Sequence, residues 1–261
     1  MAPPAFQRYI GIDYSGAATP EKGLTGLRVY SADGGEPPRE RRPTADGRRH
    51  WSRRSLAEWL LDMLDDEVPV LVGIDHGFAF PIAWHAEHAV AGGWDGFLAD
   101  FRTHHPTDRP GVTVQQVRDG IIGNGPTRSG DARWRRHAER RVGAKSVFHF
   151  DVPGSVAKST HAGLPWLWQL RQRRGDGLHA WPFDGWQVPP GRSALAEIYP
   201  SIWSADYPRE GRTPDQHDAW VVARTLQRSD REGWLQPLLE PALDAESRAA
   251  APREGWILGV N

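Results

Sequence analysis

The run Tyr9-Ile10-Gly11-Ile12-Asp13-Tyr14-Ser15-Gly16-Ala17 ends an apolar segment in an aspartate and follows it at once with small residues. That pattern carries an acid to the end of a buried strand, beside a tight turn. A second copy stands at Val70-Leu71-Val72-Gly73-Ile74-Asp75-His76-Gly77. Between them a helix is expected from Ser52, because Leu56, Trp59, Leu60, Met63 and Leu64 fall at i, i+3, i+4, i+7 and i+8. A helical crossover makes the two strands parallel. Asp13 and Asp75 are then expected at one edge of one sheet. Asp and Gly also begin ordinary turns, and either motif alone is explained that way; the pair argues for a site.

Two further acids extend it. Thr213-Pro214-Asp215-Gln216 has a capping threonine, proline at the first helical position and glutamine at the third. The helix dipole accounts for Asp215 in the first turn. Asp218 lies beyond that turn, beside the apolar stripe Ala219, Val222, Ala223 and Leu226, where capping gives no reason for a charge. Glu197 sits inside Ala194-Leu195-Ala196-Glu197-Ile198-Tyr199-Pro200, a strand suited to burial. A buried glutamate must be paired, hydrogen-bonded or bound to a cation, and both an arginine and a metal are candidates.

Elsewhere the pattern predicts a strand over 23–30 antiparallel to the first, and an irregular stretch over 33–50 holding a poor third strand. A helix over 82–103 is interrupted at Gly92-Gly93, and 104–130 is partly irregular. A basic helix over Asp131–Arg141 puts Arg133, Arg136 and Arg140 on one face, as a solvated surface or as a phosphate-binding arm. A short strand is expected at 146–150, a helix over 161–174 and a hairpin arm over 178–187. The polar loop Gly154–Thr160 lacks the spacing of a nucleotide-binding P-loop. Within it Lys158, with Ser15 in the first turn, is a candidate substrate contact.

The 261 residues suit a single α/β domain over 1–261, with an inserted, partly irregular region at about 90–190. The absence of cysteine excludes thiolate ligands, a cysteine nucleophile and disulfides. A formal charge of −1 gives no global pull on nucleic acid, and only three of the 32 basic residues are lysines, Lys22, Lys145 and Lys158. No charged segment leading into an apolar one opens the chain, and no stretch approaches the ~20 apolar residues of a membrane span; a cytoplasmic protein is expected.

The order of these motifs resembles a domain-of-unknown-function family of predicted RNase H-like nucleases. The resemblance is carried by Gly-Ile-Asp near the start, Gly-Ile-Asp followed by Phe78-Ala79-Phe80-Pro81, Ala-Glu-Ile-Tyr-Pro, Asp215 and Asp218 at a helix start, and Glu254-Gly255-Trp256-Ile257. It implies a mixed sheet of order 3-2-1-4-5 flanked by helices, with insertions after strand 4. It also implies catalytic acids at Asp13, Asp75 and Asp218, with Glu197 and Asp215 accessory. Carboxylates without histidine or cysteine suit Mg²⁺ or Mn²⁺. Two such ions could clamp a phosphodiester of a nucleic acid, with Arg133, Arg136, Lys158 and Ser15 as substrate contacts. Two other readings fit the same features: a phosphotransferase or ATPase of the sugar kinase and actin type, and a non-catalytic binding module.

Overall fold

The computed structural model describes residues 3–43, 47–65 and 67–261. Strand β1 (Arg8–Asp13) runs antiparallel to β2 (Arg28–Asp33), which pairs antiparallel with the short β3 (Arg39–Arg41). Helix α1 (Arg53–Asp65) then crosses to β4 (Val70–Asp75), parallel to β1. Helices α2 (Ile82–His88), α3 (Gly93–His104), α4 (Val114–Arg118), α5 (His137–Arg141) and α6 (Ala157–Arg174) follow before the chain returns to the sheet. It returns as β5 (Leu178–Trp181) and β6 (Ser193–Glu197), and ends with α7 (Pro214–Arg231), α8 (Leu235–Leu239) and α9 (Ala245–Glu254).

The sheet order is β3-β2-β1-β4-β6-β5. The first and fourth strands and the Glu197 strand stand where the sequence predicts, and a short third strand lies within 33–50. The addition is β5, expected as an arm of a hairpin, which instead lies parallel to β6 and closes the far edge. Three other expectations are corrected. Strand β2 starts only at Arg28, because Thr25-Gly26 forms a turn, while Leu24 and Leu27 serve as buried anchors. Residues 146–150 form turns, and Val147 and Phe148 fill the core without joining the sheet. The basic helix is only the five residues of α5.

Alternation along the strands assigns the two faces. Ile10, Ile12, Val72, Ile74 and Leu195 pack with Leu56, Leu60 and Leu64 of α1 and Leu164, Leu167 and Leu170 of α6. Tyr9, Leu71, Ala194 and Ala196 face the other way, with Val222 and Leu226 of α7. The inserted helices are tied to the first face by aromatics: the Phe80 ring lies 5.1 Å from Trp84, 5.2 Å from Phe97 and 4.6 Å from Phe148.

On the α7 face, the glycine of each Gly-Ile-Asp motif makes room for the helix, Gly11 for its backbone and Gly73 for its side chains. A Cβ on Gly11 would lie 2.2 Å from the Ala219 carbonyl oxygen and 2.5 Å from the Ala223 nitrogen. One on Gly73 would meet Val222 at 2.7 Å. The two glycines are register partners across β1 and β4.

Candidate carboxylate site

Two residues beyond each glycine, on the same face of the sheet, stand Asp13 and Asp75. They are also register partners, so their Cα atoms lie about one strand spacing, ~4.8 Å, apart. The row Asp215–Ala219–Ala223 of α7 runs over Gly11, and Asp218–Val222–Leu226 runs toward Gly73. Helical spacing thus brings Asp215 and Asp218 back over the strand ends. The helix begins as the sequence predicts: the Thr213 side chain accepts from the Gln216 amide, and the Gln216 side chain returns the bond to Thr213.

Burial dominates the electrostatics, and charge crowding adds to it. Burial pushes the Asp13 carboxyl up to about 9, aided by the negative charges of Asp75, Asp215 and Asp218; Arg28 opposes it. Burial raises Asp75 to about 8, aided by Asp218 and Glu197. Asp218 is raised by burial and Asp215, against a hydrogen bond from Ser204 Oγ at 3.1 Å. Among the described residues, neither Asp13 nor Asp75 has a hydrogen-bond donor or an ion-paired cation on its side chain. Arg28, opposite Asp13 in the β1–β2 register, turns to Glu40 at 3.1 Å.

Glu197 does not join this group. Alternation puts it on the face of Leu195, level with Ile74 and opposite to Asp13 and Asp75. Its carboxylate is held by Arg136, Nη1 at 2.7 Å and Nη2 at 2.5 Å, and by the Phe78 amide at 2.9 Å. Of the two partners expected for a buried glutamate, the arginine is the one present. This corrects both Glu197 as a catalytic acid and Arg136 as a substrate contact. Arg136 is 1% exposed and also donates through Nε to Glu139 at 2.9 Å, so no phosphate can reach it. With Arg136 drawn inward at the N-cap of α5, the shared basic face does not form. Arg133 lies in the preceding turn, paired with Asp131 at 2.5 Å, and Arg140 is exposed.

Ser15 and Lys158 do come together. The backbone of the Ser15–Ala18 turn meets the start of α6 so closely that a Cβ on Gly16 would lie 2.0 Å from the Lys158 carbonyl oxygen. Between them opens a groove of about 540 Å³, lined by Ser15, Ala18, Gln115, Ser155, Lys158 and Ser159 among others. Asp215 reaches the same neighbourhood: a Cβ on Gly26 would be 3.5 Å from its Oδ2 and 4.0 Å from Ser15 Oγ.

Sequence reasoning missed Arg53. It is fully buried at the start of α1 and donates to the Ser15, Ala17 and Ala18 carbonyls at 3.4, 2.6 and 3.0 Å. A cation in a helix's first turn opposes the dipole, and that anomaly was the available signal.

For a divalent cation the donor chemistry fits and the spacing is open. The acids are oxygen donors suited to hard ions, and their mutual repulsion is what a cation would relieve. Among the described residues, however, no group of three or more His, Asp or Glu side chains stands ready to hold a metal ion. No helix among them is long and apolar enough to cross a membrane. Comparison with protein-family models, curated proteins and solved structures returns no match.

Proposed function

We propose that the chain is a divalent-metal-dependent nuclease of RNase H-like type that hydrolyses phosphodiester bonds of a nucleic acid. The observation that carries this reading is the in-register pair Asp13 and Asp75, without an ion-paired cation among the described residues, with Asp218 and Asp215 delivered above it by α7. The β3-β2-β1-β4 arrangement, with the parallel strand β6 beside β4, supports the same reading. Asp13, Asp75 and Asp218 would hold Mg²⁺ or Mn²⁺, with Asp215 accessory. Such an ion, when bound, activates water and stabilises the leaving oxygen of a phosphodiester.

The chain's own groups set the conditions for that chemistry. With Asp13 and Asp75 raised to about 9 and 8, both carry protons at neutral pH without a cation. Cation binding must therefore release protons, and affinity rises with pH. Lys158 and Ser15 line the adjoining groove, where a strand's backbone would lie. The test is Mn²⁺-dependent cleavage across single-stranded RNA, single-stranded DNA, duplexes and hybrids. Asp13→Asn and Asp75→Asn should abolish it while Glu197→Gln, if folded, retains it. No cleavage of any substrate by the wild-type chain would refute the reading.

A phosphotransferase or ATPase reading is favoured by one observation, the groove against the small-residue turn. It predicts stabilisation by ATP and ATP turnover, whereas the nuclease reading predicts neither.

A further inference from the structure

Arg53 is a buried cation with no carboxylate partner among the described residues. All three of its bonds go to carbonyls of one loop, those of Ser15, Ala17 and Ala18. The peptide unit is planar and trans, so a carbonyl turned one way turns the next residue's N–H the other. Arg53 therefore aims the Gly16 and Ala18 amides away from itself. Among the described residues neither amide has an acceptor. Ala18 is held at φ +50, a left-handed conformation that alanine adopts unwillingly. Outward amides around a left-handed residue form the kind of concavity that binds anions.

The opposite wall of the groove has the same polarity. The 18-residue α6 begins there without a side-chain cap, and its N-terminal amides favour negative charge. Lys158 is exposed in its first turn, and among the described residues no carboxylate pairs with it. At the start of α6 the Ala157 amide is taken by Ser155 Oγ at 3.1 Å, while the Lys158 and Ser159 amides have no acceptor among the described residues. With the Gly16 and Ala18 amides and the Lys158 ammonium they border a groove of about 540 Å³, two residues along the chain from Asp13.

We infer that this groove is an oxyanion seat for a phosphoryl group, formed by the Gly16 and Ala18 amides and Lys158, with Arg53 as the residue that positions the loop. It would hold a phosphate beside the carboxylates, so that the positive wall offsets the repulsion between acids and substrate. Only the owner of the phosphate, a nucleic-acid backbone or a nucleotide, depends on the nuclease reading.

Calorimetric titration of inorganic phosphate into metal-free protein, against sodium chloride of equal ionic strength, tests the seat. Saturable binding is expected, at least tenfold weaker in Lys158→Gln. Asp13→Asn should bind phosphate as well as wild type, since asparagine replaces a carboxyl that is already protonated at neutral pH in the metal-free protein, although the same variant loses cleavage. Loss of cleavage and loss of the seat are thereby distinguishable. Arg53→Lys keeps the charge but cannot span three carbonyls, and should weaken binding comparably; if it fails to fold, the exposed Lys158 variant decides alone. Parallel titrations with a nucleoside triphosphate and a short oligonucleotide identify the owner by which binds more tightly. Absence of saturable phosphate binding, or equal affinity in Lys158→Gln, overturns the proposal.

Discussion

Replacing Asp13 with asparagine should change how stability depends on pH, and the size of the change follows from proton counting. In the folded chain burial and neighbouring acids raise Asp13 to about 9; in the unfolded chain an aspartate titrates near ~3.9. Between those values the native state holds a proton that the unfolded state has released. Its contribution to stability is therefore complete below pH ~4 and is lost as pH rises through the folded value, by about 1.4 kcal/mol per pH unit. Asparagine is a neutral stand-in for the protonated acid, so Asp75 keeps the same uncharged neighbour. In chelator the variant should gain on wild type by about 1.4 kcal/mol per pH unit between pH ~5.5 and ~7.5. For a chain of this size that is roughly 3–6 °C in melting temperature per unit.

Taking the difference between the two proteins matters, because His76 and His161 are lowered by burial to about 4 and about 3 and give a pH dependence of the opposite sign. Those histidines are common to both chains and cancel. Adding Mn²⁺ should narrow or reverse the gap, since an ion that binds only the native state at a hundred times its Kd stabilises it by about 2.7 kcal/mol, and the variant has lost a ligand. Melting series at several pH values, with and without the ion, provide the measurement. A gap that stays flat with pH in chelator would refute the crowding argument, and with it the claim that Asp13 awaits a cation.

Other outcomes follow from the same geometry. Arg136→Met leaves Glu139 and Glu197 buried without their cation and should cost about 3–5 kcal/mol in denaturant unfolding. Arg133→Gln should leave both stability, within about 0.5 kcal/mol, and nucleic-acid affinity unchanged, because that exposed side chain only reaches Asp131; a weakened affinity in a binding titration would restore the phosphate-arm reading. Gly11→Ala drives a methyl into the α7 backbone and should cost about 1–3 kcal/mol by thermal unfolding, with loss of cleavage because α7 carries Asp215 and Asp218.

Much of the site was legible because each of its parts has a local signature. The Gly-Ile-Asp repeats encode strand, face and glycine clearance together, and Thr213-Pro214-Asp215-Gln216 encodes the start of α7 to the residue. What escaped was decided by distant partners. Whether Glu197 binds an ion or an arginine depends on Arg136, 61 positions away. Nothing near Arg136 distinguishes it from Arg133 or Arg140 until the fold turns it inward. The Pro182 and Gly185 that follow β5 suggest a hairpin turn, whereas its parallel pairing with β6 rests on a long-range register. Val147 and Phe148 have the apolar character of a strand, but they serve the core from a turn.

The treatment of the remaining acids bears on what Asp13 and Asp75 are for. Among the described residues five carboxylates are buried, and each accepts from at least one donor, although Asp108 Oδ1 has none. Asp230 accepts from the Ala5 and Phe6 amides and the Tyr9 hydroxyl at 2.8–2.9 Å. Glu254 accepts from the Ile82 and His137 amides, Glu139 and Glu197 share Arg136, and Asp108 is met by Arg102 and Gln169. A fold that brings donors to these five has the means to bring them to two more. Arg28 stands opposite Asp13 and turns instead to Glu40, and the Asp218 carboxylate adds repulsion where a donor would have relieved it. Asp13 and Asp75 are only partly exposed at the strand ends, and an acid serving only to begin a turn there would still gain from a partner, since both carboxyls are raised well above the usual range. The withheld donors make sense when the missing partner comes from solution and displaces the protons that the two acids otherwise hold.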